Sequence, residues 1–140
     1  MKKFLTTYTG QKLAYSMTEG AGPTVIFLGG FKSGMEGSKA IFLEKWAKKR
    51  NRSFLRFDYS GHGQSSGDFL SLGIGDWLKD AMQIIELIKN NDLILVGSSM
   101  GAWVSLLLSR ELGKRLKGLL TIAAAPDFTE DSMWANFTEE

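Results

Sequence analysis

The 140-residue sequence contains no cysteine, and it contains a single histidine, His62. The absence of cysteine excludes disulfide bonds and metal sites built on thiolates, and it suits a reducing compartment. We therefore expect a cytoplasmic protein. We expect neither a metal nor another cofactor.

Two further classes of protein are excluded by what the sequence lacks. No stretch approaches the roughly 20 apolar residues that a membrane-spanning helix needs, so no membrane span is predicted. The formal net charge is +2, with acidic and basic residues interspersed along the chain. Because no basic face results from this pattern, nucleic acid is not an expected partner.

What the sequence does contain is an alternation of short apolar runs and helix-period segments. A hydrophobic content of 44% is sufficient for one core, so residues 1–140 are expected to belong to a single domain. Strands that alternate with helices after a leading hairpin predict an α/β fold with a mostly parallel sheet. The predicted strands are Phe4–Thr9 and Lys12–Met17 (the hairpin, around Gly10 and Gln11), Thr24–Leu28, Ser53–Asp58, Leu93–Val96 and Gly118–Ala125. The predicted helices are Ser38–Arg50, a helix that begins at Asp76 as N-cap and runs to about Asn90, and one that begins after Gly101.

The segment Gly97–Gly101 fits the pattern G-x-S-x-G between a buried strand and a helix. This context is typical of a nucleophile elbow, a sharp turn that strains the central serine, Ser99, and exposes its Oγ atom above the sheet. The first N–H groups of the following helix would point at the same spot, so the Met100 N–H could stabilise an oxyanion. An ordinary glycine-containing turn would also fit this pattern.

Other polar or glycine-rich segments also follow predicted strands. Residues 29–37, residues 59–67, Ser99 and Asp127 each follow a predicted strand. Because ligands bind beyond the carboxyl ends of the strands in such sheets, we expect these segments to share one edge.

The loop Asp58–Gly67 resembles the D-x-x-G-x-G-x-S loop of the α/β-hydrolase superfamily. Gly30-Phe31, residues 35–40 and Val96–Gly101 further resemble its ABHD-ten-like branch of esterases and thioesterases. The resemblance runs over nearly the whole chain. It implies an α/β-hydrolase-type, mostly parallel sheet flanked by helices and truncated before the last strands, so that the chain is an N-terminal portion without lid or later strands.

The resemblance also implies roles for individual residues. Ser99 is the expected nucleophile, and Phe31 and Met100 are expected to supply the two oxyanion-hole N–H groups. In the superfamily the triad acid and histidine follow the nucleophile, yet no histidine follows Ser99 in this chain. His62 is a weak candidate for the base, because the family's loop histidine usually has a structural part. Asp127 is a weak candidate for the acid, with a cap or turn as its ordinary role.

The implied activity is hydrolysis of carboxylic esters or thioesters, in small molecules or acylated proteins, through an acyl-enzyme on Ser99. An alternative is an inactive remnant or scaffold that needs a complementary chain. The predicted strand Gly118–Ala125 would be an uncovered apolar edge, which could pair with a second copy or with a C-terminal fragment. A nucleotide-binding module is disfavoured, because Gly37-Ser38-Lys39 reverses the order of a phosphate loop.

Overall fold

The computed structural model describes residues 2–31, 34–89 and 91–122. These residues form six strands and three α-helices. The strands are β1 (Lys2–Thr6), β2 (Lys12–Thr18), β3 (Ala21–Leu28), β4 (Arg52–Phe57), β5 (Leu93–Ser98) and β6 (Leu116–Ile122). The helices are α1 (Ser38–Lys49), α2 (Ile74–Ile85) and α3 (Met100–Leu112), with short 3₁₀ turns at Phe69–Ser71 and Gly113–Arg115.

The six strands form one sheet in the order β1-β2-β4-β3-β5-β6. The pairs β1–β2 and β2–β4 are antiparallel, and the other three pairs are parallel. This is the mostly parallel, helix-flanked sheet that the sequence predicts. Within the described residues β6 pairs with β5 on one side, and no strand pairs with its other side. None of the helices in this part of the chain has both the length and the apolar character that crossing a bilayer requires.

The leading hairpin forms, but the predicted two-residue link at Gly10 and Gln11 is wrong. The strands are joined by residues 7–11, which are closed by a 2.8 Å hydrogen bond from the Thr7 N–H to the Gln11 carbonyl. The Thr7 hydroxyl also accepts the Gln11 N–H at 3.0 Å. Because this side chain satisfies a backbone group locally, the ladder ends at Thr6 rather than at Thr9.

The bounds predicted for α2 are also corrected. Gly73, rather than Asp76, is the N-cap, and the Asp76 carboxylate reaches back to accept the Gly73 N–H at 2.9 Å. That contact is the second half of a capping box, in which an acidic residue serves at the third helical position. The helix ends at Ile85 rather than near Asn90, which lies outside the described residues. The next N–H groups bond three residues back, so the chain tightens out of the α-helix.

The sheet separates two hydrophobic cores. Along β3 the side chains of Val25 and Phe27 pack toward α1, whereas Ile26 and Leu28 pack on the other face with α2 and α3. The period of two that a strand imposes thus assigns neighbouring residues to opposite faces. Near-continuous apolar runs such as β3 and β5 are therefore required, because both faces of the parallel strands are covered.

Two glycines allow α3 to start directly against the end of β3. A Cβ atom on Gly101 would overlap the carbonyl oxygen of Leu28, and one on Gly97 would lie 2.7 Å from the Ala102 Cα atom. Neither neighbour is a flexible side chain that could move aside. The close packing of β5, α3 and β3 therefore requires glycine at both positions.

A buried ion pair joins α1 to the sheet. The Arg56 Nε donates to Glu44 Oε2 at 2.7 Å, and the two residues are each 8% exposed. Burial acts to raise the pKa of Glu44, but the hydrogen bond and the charge of Arg56 outweigh it and lower that pKa. The pair is therefore ionised at neutral pH and stabilises the contact between α1 and β4.

We predict that Glu44→Gln lowers the free energy of unfolding at pH 7 by about 3 kcal/mol, because it leaves Arg56 buried without its counter-charge. Since the folded-state pKa of Glu44 is lowered, the wild-type advantage is full above the ordinary value of 4.5 and is lost as the pH falls through the folded value. Urea unfolding from pH 7 down to pH 3 measures this. Glu36→Gln, which removes a largely exposed partner of Arg56, is the control, with an expected change below about 1 kcal/mol. Equal losses in both variants would contradict the assignment.

We also predict that Gly101→Ala lowers the free energy of unfolding by about 3 kcal/mol or more, because the added methyl group overlaps backbone at Leu28. Gly75→Ala is the matched control, since nothing lies within 4 Å of a Cβ atom at that exposed helical position. It should stabilise the protein by about 0.5 kcal/mol through a less flexible unfolded chain. Urea titration of both variants tests the pair, and a neutral Gly101→Ala would show that α3 does not approach β3 so closely.

Candidate active site

Ser99 lies in the turn between β5 and α3, in a backbone conformation that residues with a side chain rarely adopt. Its φ is +54° and its ψ is −116°. The Ser99 N–H donates to the Ile122 carbonyl at 2.9 Å, and the Ser99 carbonyl accepts the Ala102 N–H at 3.0 Å. Such a conformation costs about 1–3 kcal/mol and persists only where the surroundings hold it. Here β6 and the first turn of α3 hold the strained residue from both sides.

Ser99 lines a cavity of about 230 Å³ at the edge of the sheet. The remaining lining residues come from the end of β3, the loop after it, the start of α1 and the end of β5; they are Phe27, Gly29, Gly30, Gly34, Gly37, Ser38, Lys39, Ala40 and Ser98. The structure therefore brings the glycine-rich loop and Ser99 together. This arrangement follows from the parallel strands, whose carboxyl ends lie at one edge.

The two residues predicted to supply oxyanion-hole N–H groups each follow, in the sequence, a residue that lines this cavity. Met100 is the first residue of α3, where an amide has no acceptor within the helix. Phe31 follows the cavity residue Gly30, and its ring packs edge-to-face on Phe69 and Trp77, with centroids 5.0 and 6.0 Å away. The oxyanion roles of both amides stay predictions.

The loop after β3 is bonded at two points to β4 and the residues that follow it. The Tyr59 hydroxyl donates to the Gly29 carbonyl at 3.3 Å. At the other end of the loop, the Met35 N–H donates to Asp58 Oδ1 at 2.5 Å, and Arg56 Nη1 donates to the Met35 carbonyl at 3.0 Å. The motif Asp58–Gly67 thus contacts the glycine-rich loop directly.

His62 is 2% exposed and enclosed by aromatic rings. The centroids of Tyr59, Phe69 and Trp77 lie 5.1–5.5 Å from its ring. Its Nδ1 lies 3.1 Å from the Ser60 carbonyl, which can only accept, so Nδ1 carries the proton. Burial lowers the pKa of His62, against smaller opposite effects of Ser60, Asp58 and Asp80, so the ring is neutral at pH 7.

His62 is not among the residues that line the cavity beside Ser99. Within the described part of the chain its Nε2 is buried without a hydrogen-bond partner. Asp127, the predicted alternative acid, lies outside the described residues. The catalytic roles considered for both residues therefore stay predictions.

Sequence reasoning missed Asp80, a buried residue of α2 that supports the same loop. Its carboxylate accepts the Ser60 N–H at 2.8 Å and the Ser60 hydroxyl at 2.6 Å. Burial raises the pKa of Asp80, and the two bonds from Ser60 partly offset that effect. The available signal was its position, because an acidic residue falls on the apolar helix face between Trp77 and Ile84.

The comparisons with known proteins agree with this geometry. A family model described as serine aminopeptidase, S33 (Hydrolase_4) matches residues 22–139. The chain is 39% identical over 115 residues to the rat palmitoyl-protein thioesterase ABHD10, mitochondrial, and covers 39% of that protein. The chain is 37% identical over 115 residues to the human protein of the same name, and it covers 38% of that protein's length. In both comparisons 82% of this chain is aligned.

A solved structure gives the same result. The structure of mouse alpha/beta hydrolase domain-containing protein 10 superposes with a TM-score of 0.91 at 35% sequence identity, over 96% of this chain and 54% of that one. The chain thus spans about two fifths of the length of the curated relatives it matches. It belongs to the serine aminopeptidase S33 family (Hydrolase_4) and is an ABHD10-like α/β hydrolase.

Proposed function

We propose that this chain carries the nucleophile and the oxyanion hole of a serine hydrolase that cleaves carboxylic esters or thioesters. The observation that carries the proposal is the positive φ of Ser99, held between β5 and α3 with its side chain only partly buried. An ordinary β-to-α turn has no need of this strain, whereas a nucleophile elbow uses it to expose the Oγ atom. Membership of a hydrolase family supports the same conclusion.

In the proposed reaction the Ser99 Oγ attacks the carbonyl carbon while its proton passes to a base. The negative charge on the former carbonyl oxygen is stabilised by the N–H groups of Phe31 and Met100. Collapse of the tetrahedral intermediate breaks the bond to the alcohol or thiol, which leaves with a proton. Water then attacks the acyl-enzyme, releases the carboxylic acid and restores the serine.

The base and the acid of this mechanism are not assigned within the chain. No histidine follows Ser99 in the sequence, and the neutral ring of His62 is enclosed by aromatic side chains. Without a base, serine is a poor nucleophile at neutral pH. The oxyanion hole and substrate binding alone retain a rate enhancement on the order of 10³–10⁴ over water in a well-studied serine protease. We propose that a C-terminal segment or a second chain supplies the base.

The substrate proposed is an acyl ester or thioester of a small molecule or a protein. The palmitoyl-protein thioesterases among the relatives support the thioester class. The same relatives are named as mitochondrial, so the cytoplasmic location expected from the sequence stays a prediction.

An inactive remnant or scaffold is a second candidate, favoured by the edge at β6. Within the described residues β6 has one paired side, and its Leu119 and Leu120 side chains are 38% and 55% exposed. An apolar edge strand of this kind is a template for pairing with another strand. In this alternative the edge binds a complementary fragment or a second copy, and Ser99 catalyses no reaction.

We predict that a fluorophosphonate probe labels Ser99 when a C-terminal half that carries the base is supplied, because phosphonylation needs an exposed serine, a base and an oxyanion hole. Peptide mass spectrometry locates the adduct. Labelling should disappear in Ser99→Ala and persist in Ser109→Ala, the matched control at a serine of α3 that does not line the cavity. A folded chain that stays unlabelled alone and beside a supplied C-terminal half would favour the scaffold instead.

We further predict that His62→Asn labels within about threefold of the wild-type rate. The asparagine amide can still donate to the Ser60 carbonyl, whereas no proton acceptor remains in place of Nε2. Because His62 does not line the cavity beside Ser99, it is expected to support the loop rather than act as the base. The initial labelling rate is the measurement, with circular dichroism to establish folding. A loss of 100-fold or more in a folded variant would identify His62 as the base after all.

A further inference from the structure

The two residues before Phe31 have no side chains of their own that could fix their backbone conformation. Gly29 and Gly30 have no side chains that could pack against a core, and glycine has the greatest backbone freedom of any residue. A Cβ atom at Gly29 would meet a single side chain, Phe27, at 3.8 Å, so this residue is open on its side-chain side, although its carbonyl oxygen lies 2.6 Å from where a Cβ atom of Gly101 would be. An oxyanion hole needs donors that are aimed in advance, so the orientation of this backbone must be imposed by contacts from elsewhere.

The Tyr59 hydroxyl makes such a contact. It donates to the Gly29 carbonyl at 3.3 Å, and that carbonyl shares a planar peptide unit with the Gly30 nitrogen. Fixing the oxygen therefore restrains the plane of the Gly29–Gly30 peptide, which is one peptide unit before the one that carries the Phe31 N–H. Tyr59 is itself 1% exposed, and its ring packs edge-to-face on Phe57 at 5.0 Å. Because the Tyr59 side chain is itself held in place by packing, its hydrogen bond can restrain the position of the Gly29 carbonyl.

The chemistry of Tyr59 keeps the hydroxyl a donor. Burial, and then the negative charge of Asp80, raises the pKa of Tyr59 above its ordinary value of 10.0. The phenol therefore keeps its proton across the whole working range of pH. Because a carbonyl oxygen can only accept, the direction of this hydrogen bond is fixed as well.

The other end of the loop is held from the opposite face of the sheet. Arg56 and Asp58, two residues apart, lie on the α1 side and bond the carbonyl and the N–H of Met35. Tyr59 lies with Phe57 in the core on the α2 and α3 side. The end of β4 thus contacts the loop from both faces, at Gly29 and at Met35.

We propose that Tyr59 is a positioning residue, which orients the Gly29–Gly30 peptide, and through it the Phe31 N–H, by hydrogen bonding to the Gly29 carbonyl. This inference rests on the proposed function for the meaning of the Phe31 amide, although the restraint on the loop can be measured independently. Tyr59 touches neither the substrate nor the reacting atoms in this proposal. Asp58 and Arg56 restrain the distal end of the loop.

The test is Tyr59→Phe, which removes a single oxygen from an otherwise unchanged ring. Tyr8→Phe is the matched control, because it deletes a tyrosine hydroxyl that bonds Glu86 on the exposed surface away from the cavity. NMR on the full chain measures the solvent-exchange rates of the Gly30 and Phe31 amides. We expect both rates to rise about three- to tenfold in Tyr59→Phe, with no change in the core amides of Ile26 and Leu95. Unchanged Gly30 and Phe31 rates, or an equal rise in every amide, would overturn the proposal.

A kinetic measurement separates this role from a general effect on stability. For labelling of Ser99 by the fluorophosphonate, we expect Tyr59→Phe to lower the maximal rate about tenfold and to leave the half-saturating probe concentration unchanged. A change confined to the half-saturating concentration would contradict the positioning role. If wild-type Ser99 is labelled neither alone nor beside a supplied C-terminal half, the proposed function fails, and the amide exchange rates still decide whether Tyr59 restrains the loop.

Discussion

The approach of α3 to the end of β3 is the constraint on which the site depends. A side chain at position 101 would overlap the Leu28 carbonyl, so α3 can start this close to β3 only because its second residue is glycine. Its first turn then lies beside the loop after β3, and Ser99 must reverse the chain within one residue at a φ of +54°. The strained backbone of Ser99 and the closeness of the loop after β3 to the first turn of α3 therefore have a single cause. That cause is the packing of the start of α3 on the end of β3.

A second constraint comes from β4, which connects the cores to the loop. The alternation of β4, continued by the two residues after it, places Arg56 and Asp58 on one face and Tyr59 on the other. Arg56 is in turn held by Glu44 on α1, and the backbone of Ser60 by Asp80 on α2. On each face of the sheet, a buried charged side chain thus bonds to the backbone of a loop near the cavity. The packing of α1 and α2 is therefore coupled to the positions of these loops.

Much of this could be predicted from residue pattern. The buried strands, the order of elements and the meeting of Ser99 with the glycine-rich loop follow from periodicity and from parallel pairing. Two errors arose where a local contact overrode the pattern. The Thr7 hydroxyl ends the first hairpin strand early, and Asp76 accepts a hydrogen bond from the N-cap residue Gly73 instead of being the N-cap itself. The bounds of short elements depend on single hydrogen bonds, which composition does not reveal.

The sequence by itself determined that a serine sits at the centre of G-x-S-x-G between a strand and a helix, and that no histidine follows it. Only the tertiary structure decided what surrounds His62 and Tyr59. Both occur in one short motif, yet the ring of His62 is enclosed by aromatic side chains while the hydroxyl of Tyr59 reaches the Gly29 carbonyl. Contacts between residues some thirty positions apart depend on how strands are ordered across the sheet, and local sequence does not encode that distance.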